Sequence, residues 1–171
     1  MLILSGGIGC GKTTLLKRVI LDNSLAVQGF LSLKIVEQGV VTGIKVLTLP
    51  WREEMFMATA TSERTKLSTG RYAFRPETFQ RIDERFERFD RCLPFVFDEF
   101  GILEMRGRAH FALFQRLAAA RMKMLVVVRS ELIEEFTGRY SPDHAMEVVD
   151  LERDANAAHR IMQYLQQAHG A

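Results

Sequence analysis

The segment Gly6-Gly7-Ile8-Gly9-Cys10-Gly11-Lys12-Thr13, placed directly after Met1-Leu2-Ile3-Leu4, constrains this chain more than any other feature. It fits the pattern G-x-x-x-x-G-K-[ST], whose glycines let successive backbone N–H groups curl inward as an anion nest. Such a loop belongs between a strand and a helix, because the helix N-terminus adds its partial positive charge. The flanks agree. Leu2-Ile3-Leu4 reads as a buried strand, and Thr14 to Ile20 reads as a helix. The expected ligand is a nucleotide, cradled by Gly6, Gly7, Ile8, Gly9, Cys10, Gly11, Lys12, Thr13 and Thr14. In such a loop Lys12 reaches the β- and γ-phosphates, and the Thr13 hydroxyl ligates Mg²⁺.

Downstream, Val27 to Val36 and Ile44 to Leu49 are rich in β-formers, with Glu37-Gln38-Gly39 as a turn between them. So short a connection joins only antiparallel neighbours, which predicts a hairpin between Gly29 and Leu49. The segment from Pro50 to Thr69 is more polar and reads as irregular, followed by a strand candidate at Gly70 to Phe74. Pro76 suits a helix start, and Phe79, Ile82, Phe86 and Phe89 recur at spacings of three and four, a core-facing stripe. Leu93 to Phe97 and Met124 to Val128 read as buried strands, separated by a helix over Arg108 to Arg121. A short helix around Leu132 to Phe136 and a strand over Ala145 to Leu151 follow, and Asp154 is placed to cap a closing helix. Strands alternating with helices imply an α/β fold: a mostly parallel sheet with helices on both faces, plus the antiparallel hairpin. At 171 residues the chain is expected to form a single domain.

The magnesium site of a phosphate loop needs a carboxylate at the tip of a neighbouring parallel strand. Phe95-Val96-Phe97-Asp98 has that form, and Asp98 is assigned to the Mg²⁺ shell, through water. Its alternative is a carboxylate that caps the following loop. Glu99 comes next, where a carboxylate can orient or deprotonate a water in line with the γ-phosphorus. A solvent-facing acid is the alternative there.

Composition closes off other classes. The net charge is only +2, so no strong nucleic-acid footprint exists. Two cysteines, Cys10 and Cys92, offer no disulfide framework and suit a reducing compartment. Cys10 within the loop is read as a variable position more readily than as a redox group. Neither a secretory leader nor a bilayer-length apolar stretch is visible, so a cytoplasmic location is expected. His110, His144, His159 and His169 have no metal-ligand spacing and receive no function.

Beyond these motifs the chain resembles a family, the small P-loop nucleoside-triphosphatases of thermophile and human cancer-related type. The resemblance is carried by the phosphate loop, Gly29-Phe30, Gly70-Arg71-Tyr72, the block from Asp98 to Glu104 with its DE-x-G-x-x-E pattern, Phe111, and Glu152-Arg153-Asp154. It implies Mg²⁺-dependent, slow, base-tolerant hydrolysis of the β–γ bond of ATP or GTP. It also implies a RecA-like sheet in which another strand separates the phosphate-loop strand from the Asp98 strand. The chain departs from the family at Glu152, where Asn is usual, and in the hairpin, where Gly43-Ile44 is not preceded by the usual arginine.

Phosphoryl transfer also calls for a cation on the transferred group. Candidates for an arginine finger are Arg71, Arg106, Arg108, Arg129 and Arg153. A small-molecule or nucleotide kinase is the rival reading, with Arg52, Arg64 and Arg71 as lid residues. A nucleotide-sensing accessory protein with little turnover, working with a protein partner, is the third.

Overall fold

The computed structural model describes residues 1–61, 67–141 and 145–167. Its described residues form one nine-stranded sheet, ordered β5-β6-β4-β3-β2-β7-β8-β1-β9. The strands are β1 (Leu2–Ser5), β2 (Gln28–Glu37), β3 (Val40–Leu49), β4 (Glu54–Ala60), β5 (Ser68–Thr69), β6 (Tyr72–Phe74), β7 (Phe95–Phe100), β8 (Met124–Val128) and β9 (Glu147–Asp150). The helices are α1 (Lys12–Asp22), α2 (Pro76–Arg85), α3 (Ile102–Met105), α4 (Phe111–Ala119), α5 (Ile133–Tyr140) and α6 (Ala157–Gln166).

From β2 through β9 the neighbours β2, β7, β8, β1 and β9 all pair in parallel. Successive residues point to opposite faces of a strand, and here both faces are covered. Ile3 packs with Phe97 and Val126 on one side, against Phe79 and Ile82 of α2, Phe114 of α4 and Phe136 of α5. Leu2 and Leu4 pack on the other side with Leu125 and Val127, against Leu16 and Ile20 of α1 and Ile161 of α6. That two-sided burial is why these strands appear in the sequence as unbroken apolar runs. Among the described residues, no helix is long and apolar enough to cross a membrane.

The antiparallel half is larger than one hairpin. β2 and β3 pair as expected, in the register Gly29↔Leu49 to Glu37↔Val40. Gln38 and Gly39 both have positive φ, 49° and 78°, the geometry of a two-residue type I′ turn. The sheet then continues through β4, β6 and β5. β4 corrects the expectation of an irregular segment over Pro50 to Thr69. Its inward residues are Met55, Met57 and Ala58, none of them β-branched, so propensity did not mark a strand. Part of that segment, 62–66, and with it the lid candidate Arg64, lies outside the described residues.

Other boundaries shift too. α2 ends at Arg85, so Phe86 follows the helix but is still buried, and Phe89 beyond it is half-buried. The helix expected over Arg108 to Arg121 is shorter, Phe111–Ala119. α6 is preceded by Asn156 and not by Asp154, which accepts the Asn156 N–H at 2.8 Å and pairs with Arg160. Gly29 is a close-approach point: with φ at 122°, a Cβ there would lie 2.0 Å from the Val96 carbonyl oxygen.

Candidate functional site

The phosphate loop leaves β1 and enters α1 at Lys12, with Gly9 and Gly11 at φ 81° and 100°, where a side chain is strained. Lys12 is buried. Its Nζ donates to the carbonyl oxygens of Gly6 and Gly7, each at 2.7 Å. The ammonium thus lies folded against its own loop and ties that loop's shape together.

Strand order places β8 between β1 and β7, so the β7 tip faces the phosphate loop across one intervening strand. Asp98 emerges there, 1% exposed. Its Oδ2 accepts the Ser32 N–H at 3.2 Å, and the Ser32 hydroxyl donates to the Asp98 carbonyl at 2.5 Å. Among the described residues Oδ1 has no hydrogen-bond partner. Burial first, and the Glu99 charge second, push the Asp98 carboxyl up to about 7, while the Thr13 hydroxyl beside it favours the charged form. An orphaned buried carboxylate oxygen next to a loop threonine fits a divalent cation. No group of three His, Cys, Asp or Glu side chains suited to a metal occurs among the described residues. A Mg²⁺ ion, which keeps several waters and takes substrate phosphates, needs no such cluster.

Glu99 and Arg129 meet at the same crevice. Arg129 follows β8, and its Nε and Nη2 both reach Glu99 Oε1, at 2.7 and 2.5 Å. Burial works against the guanidinium charge, but the Glu99 carboxylate outweighs it and holds Arg129 above its ordinary value. Two residues chosen separately from the sequence, an acid for water and an arginine for charge, are therefore one ion pair.

With this geometry in hand, the comparisons decide the family, because the model of the NTPase family matches residues 1–162. The chain belongs to the NTPase family. Among solved structures, THEP1 from the hyperthermophile Aquifex aeolicus superimposes with a TM-score of 0.74 at 20% identity, covering 98% of this chain and 100% of that one. A human cancer-related nucleoside triphosphatase gives a TM-score of 0.68 at 22% identity, with 96% of each chain covered. At such identities the likeness shows the P-loop NTPase fold, including the mostly parallel sheet. No curated protein matches at the sequence level. Family membership makes the activity class nucleoside-triphosphate hydrolysis.

In this NTPase two of the remaining arginine candidates, Arg71 and Arg153, bond away from the Asp98–Glu99 pair. Arg71 is exposed and bonds the Tyr72 hydroxyl at 3.3 Å. Arg153 lies 3.6 Å from Asp150, with its side chain 88% exposed. Arg106 and Arg108 are exposed after α3, and the lid candidate Arg52 is an exposed turn residue between β3 and β4.

Four contacts went unforeseen. Ser32 holds Asp98, as described. Glu152, at the position of the family's Asn, accepts the Gly7 N–H at 2.6 Å and ties the loop after β9 to the phosphate loop. Glu104 is buried and accepts the Gly101 N–H at 2.9 Å, a capping box that secures the backbone just after Glu99. His110 is buried behind it, its N–H on Glu104 Oε1 at 3.4 Å and its Nδ1 3.3 Å from Asp83. Only the three-residue spacing of Gly101 and Glu104 offered a signal for any of them.

Proposed function

We propose that this NTPase hydrolyses the β–γ phosphoanhydride of ATP or GTP with Mg²⁺, slowly and with broad tolerance of the base. The reading is carried by one observation: Asp98, its buried Oδ1 without a hydrogen-bond partner among the described residues, stands beside Thr13, and Glu99 follows it directly. Lys12 exchanges the Gly6 and Gly7 carbonyls for β- and γ-phosphate oxygens, while loop N–H groups enclose the inner phosphates. Thr13 and Asp98 would hold the metal. Bound there, Mg²⁺ would neutralise charge on the phosphate oxygens. Glu99 orients a water and accepts its proton as the water oxygen bonds to the γ-phosphorus, and the bond to the bridging oxygen breaks. The products are a nucleoside diphosphate and inorganic phosphate. Arg129 is assigned here as the positioning partner of the Glu99 carboxylate.

The test is phosphate release from ATP, GTP, CTP and UTP with Mg²⁺, comparing the unmodified protein with Glu99→Gln. Glu99→Gln should keep Mg·ADP binding and lose about 10²–10⁴-fold in turnover, the range for a positioned general base. Undiminished release would remove Glu99 from the mechanism. ADP formation that appears only with a phosphoryl acceptor would replace hydrolysis with the kinase reading.

A further inference from the structure

The β2–β3 hairpin carries a cation over the phosphate loop that none of the preceding assignments uses. Pairing of β2 with β7 covers only Gln28 to Phe30, so β2 runs on past the point where its parallel neighbour is engaged. Along a strand every second residue shares a face. Phe30 lies in the core, Ser32 is bonded to Asp98, and Lys34 comes next on that face. The Lys34 Nζ ends 3.9 Å from the point that a Cβ on Gly9 would occupy. Gly9 is exposed in the middle of the loop, and its missing side chain leaves that approach open.

Lys34 is exposed, and no hydrogen bond or ion pair joins its side chain to any described residue. Its rivals are engaged: Arg129 by Glu99, Arg71 by Tyr72 and Arg153 by Asp150. In the proposed complex Lys12 bonds β- and γ-phosphate oxygens and the loop N–H groups enclose the inner phosphates, which leaves the outer side of the terminal group to another cation. Lys34 instead arrives from β2, whose Ser32 is bonded to Asp98 of the neighbouring β7. A lysine ammonium on a flexible four-carbon stem is a point charge suited to phosphoryl oxygens and able to follow them. We propose that Lys34 contacts the terminal phosphoryl group of the bound triphosphate and neutralises the charge that develops on its oxygens during transfer. The proposal deepens the hydrolysis reading and rests on it.

The experiment measures phosphate release at saturating Mg·ATP, and Mg·ADP binding by calorimetry, for the unmodified protein, Lys34→Ala and Lys34→Arg. Lys34→Ala should lower kcat about tenfold or more while Mg·ADP affinity stays within about twofold, the pattern of an interaction made only with the transferred group. Lys34→Arg should recover part of the loss. All three proteins should melt alike, since the side chain is exposed and bonds to none of the described residues. A Lys34→Ala kcat within about twofold of the unmodified protein overturns the proposal. So does an ADP affinity that falls as far as kcat, which would put the ammonium on the inner phosphates. Failure of the hydrolysis reading looks different: the unmodified protein itself would release no phosphate, and the proposal would fall with it.

Discussion

The two halves of the sheet are built on different rules. In the parallel half, β1, β7 and β8 bury both faces, and every residue from Met124 to Val128 is inside. In the antiparallel half, β4 alternates at its start, with Glu54 and Phe56 exposed and Met55 and Met57 buried. The parallel half therefore specifies the core and carries the candidate site at its strand tips. Only the start of β4 leaves a face free, since Val46 to Leu49 of β3 are buried on both sides, and β2 delivers Ser32 and Lys34 to the same crevice. Scaffold and accessory surface are thus one continuous sheet with a change of rule at β2.

The junction at Gly29 gives the sharpest test of this contrast. Gly29→Ala would drive a Cβ into the Val96 backbone at a positive φ, and no side chain can move aside to relieve it. The expected loss is more than about 4 kcal/mol, or failure to fold, read from urea denaturation. A mild effect would mean that β2 and β7 separate easily and that the halves are not joined there.

Two phenylalanines then compare the halves directly. Phe97 is fully buried in β7 among Phe30, Phe100 and Phe114, so Phe97→Ala should cost about 3–5 kcal/mol. Phe56 in β4 is 38% exposed, with the Arg75 guanidinium 4.6 Å above its ring, and Phe56→Ala should cost about 1 kcal/mol or less. Equal losses would break the distinction between two-sided and one-sided burial.

The smallest effect concerns Glu104, behind the Asp98–Glu99 tip. Burial raises its carboxyl above the ordinary value of 4.5, with the His110 charge and the N–H groups of Gly101 and His110 acting against the shift. The folded protein therefore holds this proton more tightly than the unfolded chain does. Its stabilising share is complete below 4.5 and is lost as pH rises through the raised value. Glu104→Gln should flatten the stability profile between 4.5 and the raised value, measured by denaturant midpoints across that range. An unchanged slope would show that other groups set it.

What could be read beforehand follows the same division. The phosphate loop, the Asp98 strand and Met124 to Val128 were legible because two-sided burial and glycine geometry leave continuous, local signatures. The hairpin was legible from its turn, although the turn is two residues, Gln38 and Gly39, with Glu37 paired to Val40. β4 was not, since methionine and alanine pack a core without announcing a strand. The contacts of Ser32, Glu104, His110 and Glu152 join residues far apart or on separate elements, and no period or spacing reports which polar side chain will face another. The Glu99–Arg129 pair shows the middle case: each residue was placed at a strand end, and only adjacency of β7 and β8 made them partners.

Gly29 also determines how the hairpin can work. Its backbone sits flush on Val96, so the root of β2 is fixed, and Ser32 pins the strand a second time at Asp98. Travel of the ammonium toward a ligand therefore falls to the four-carbon stem of Lys34 and the strand beyond Ser32, and leaves Asp98 where it was.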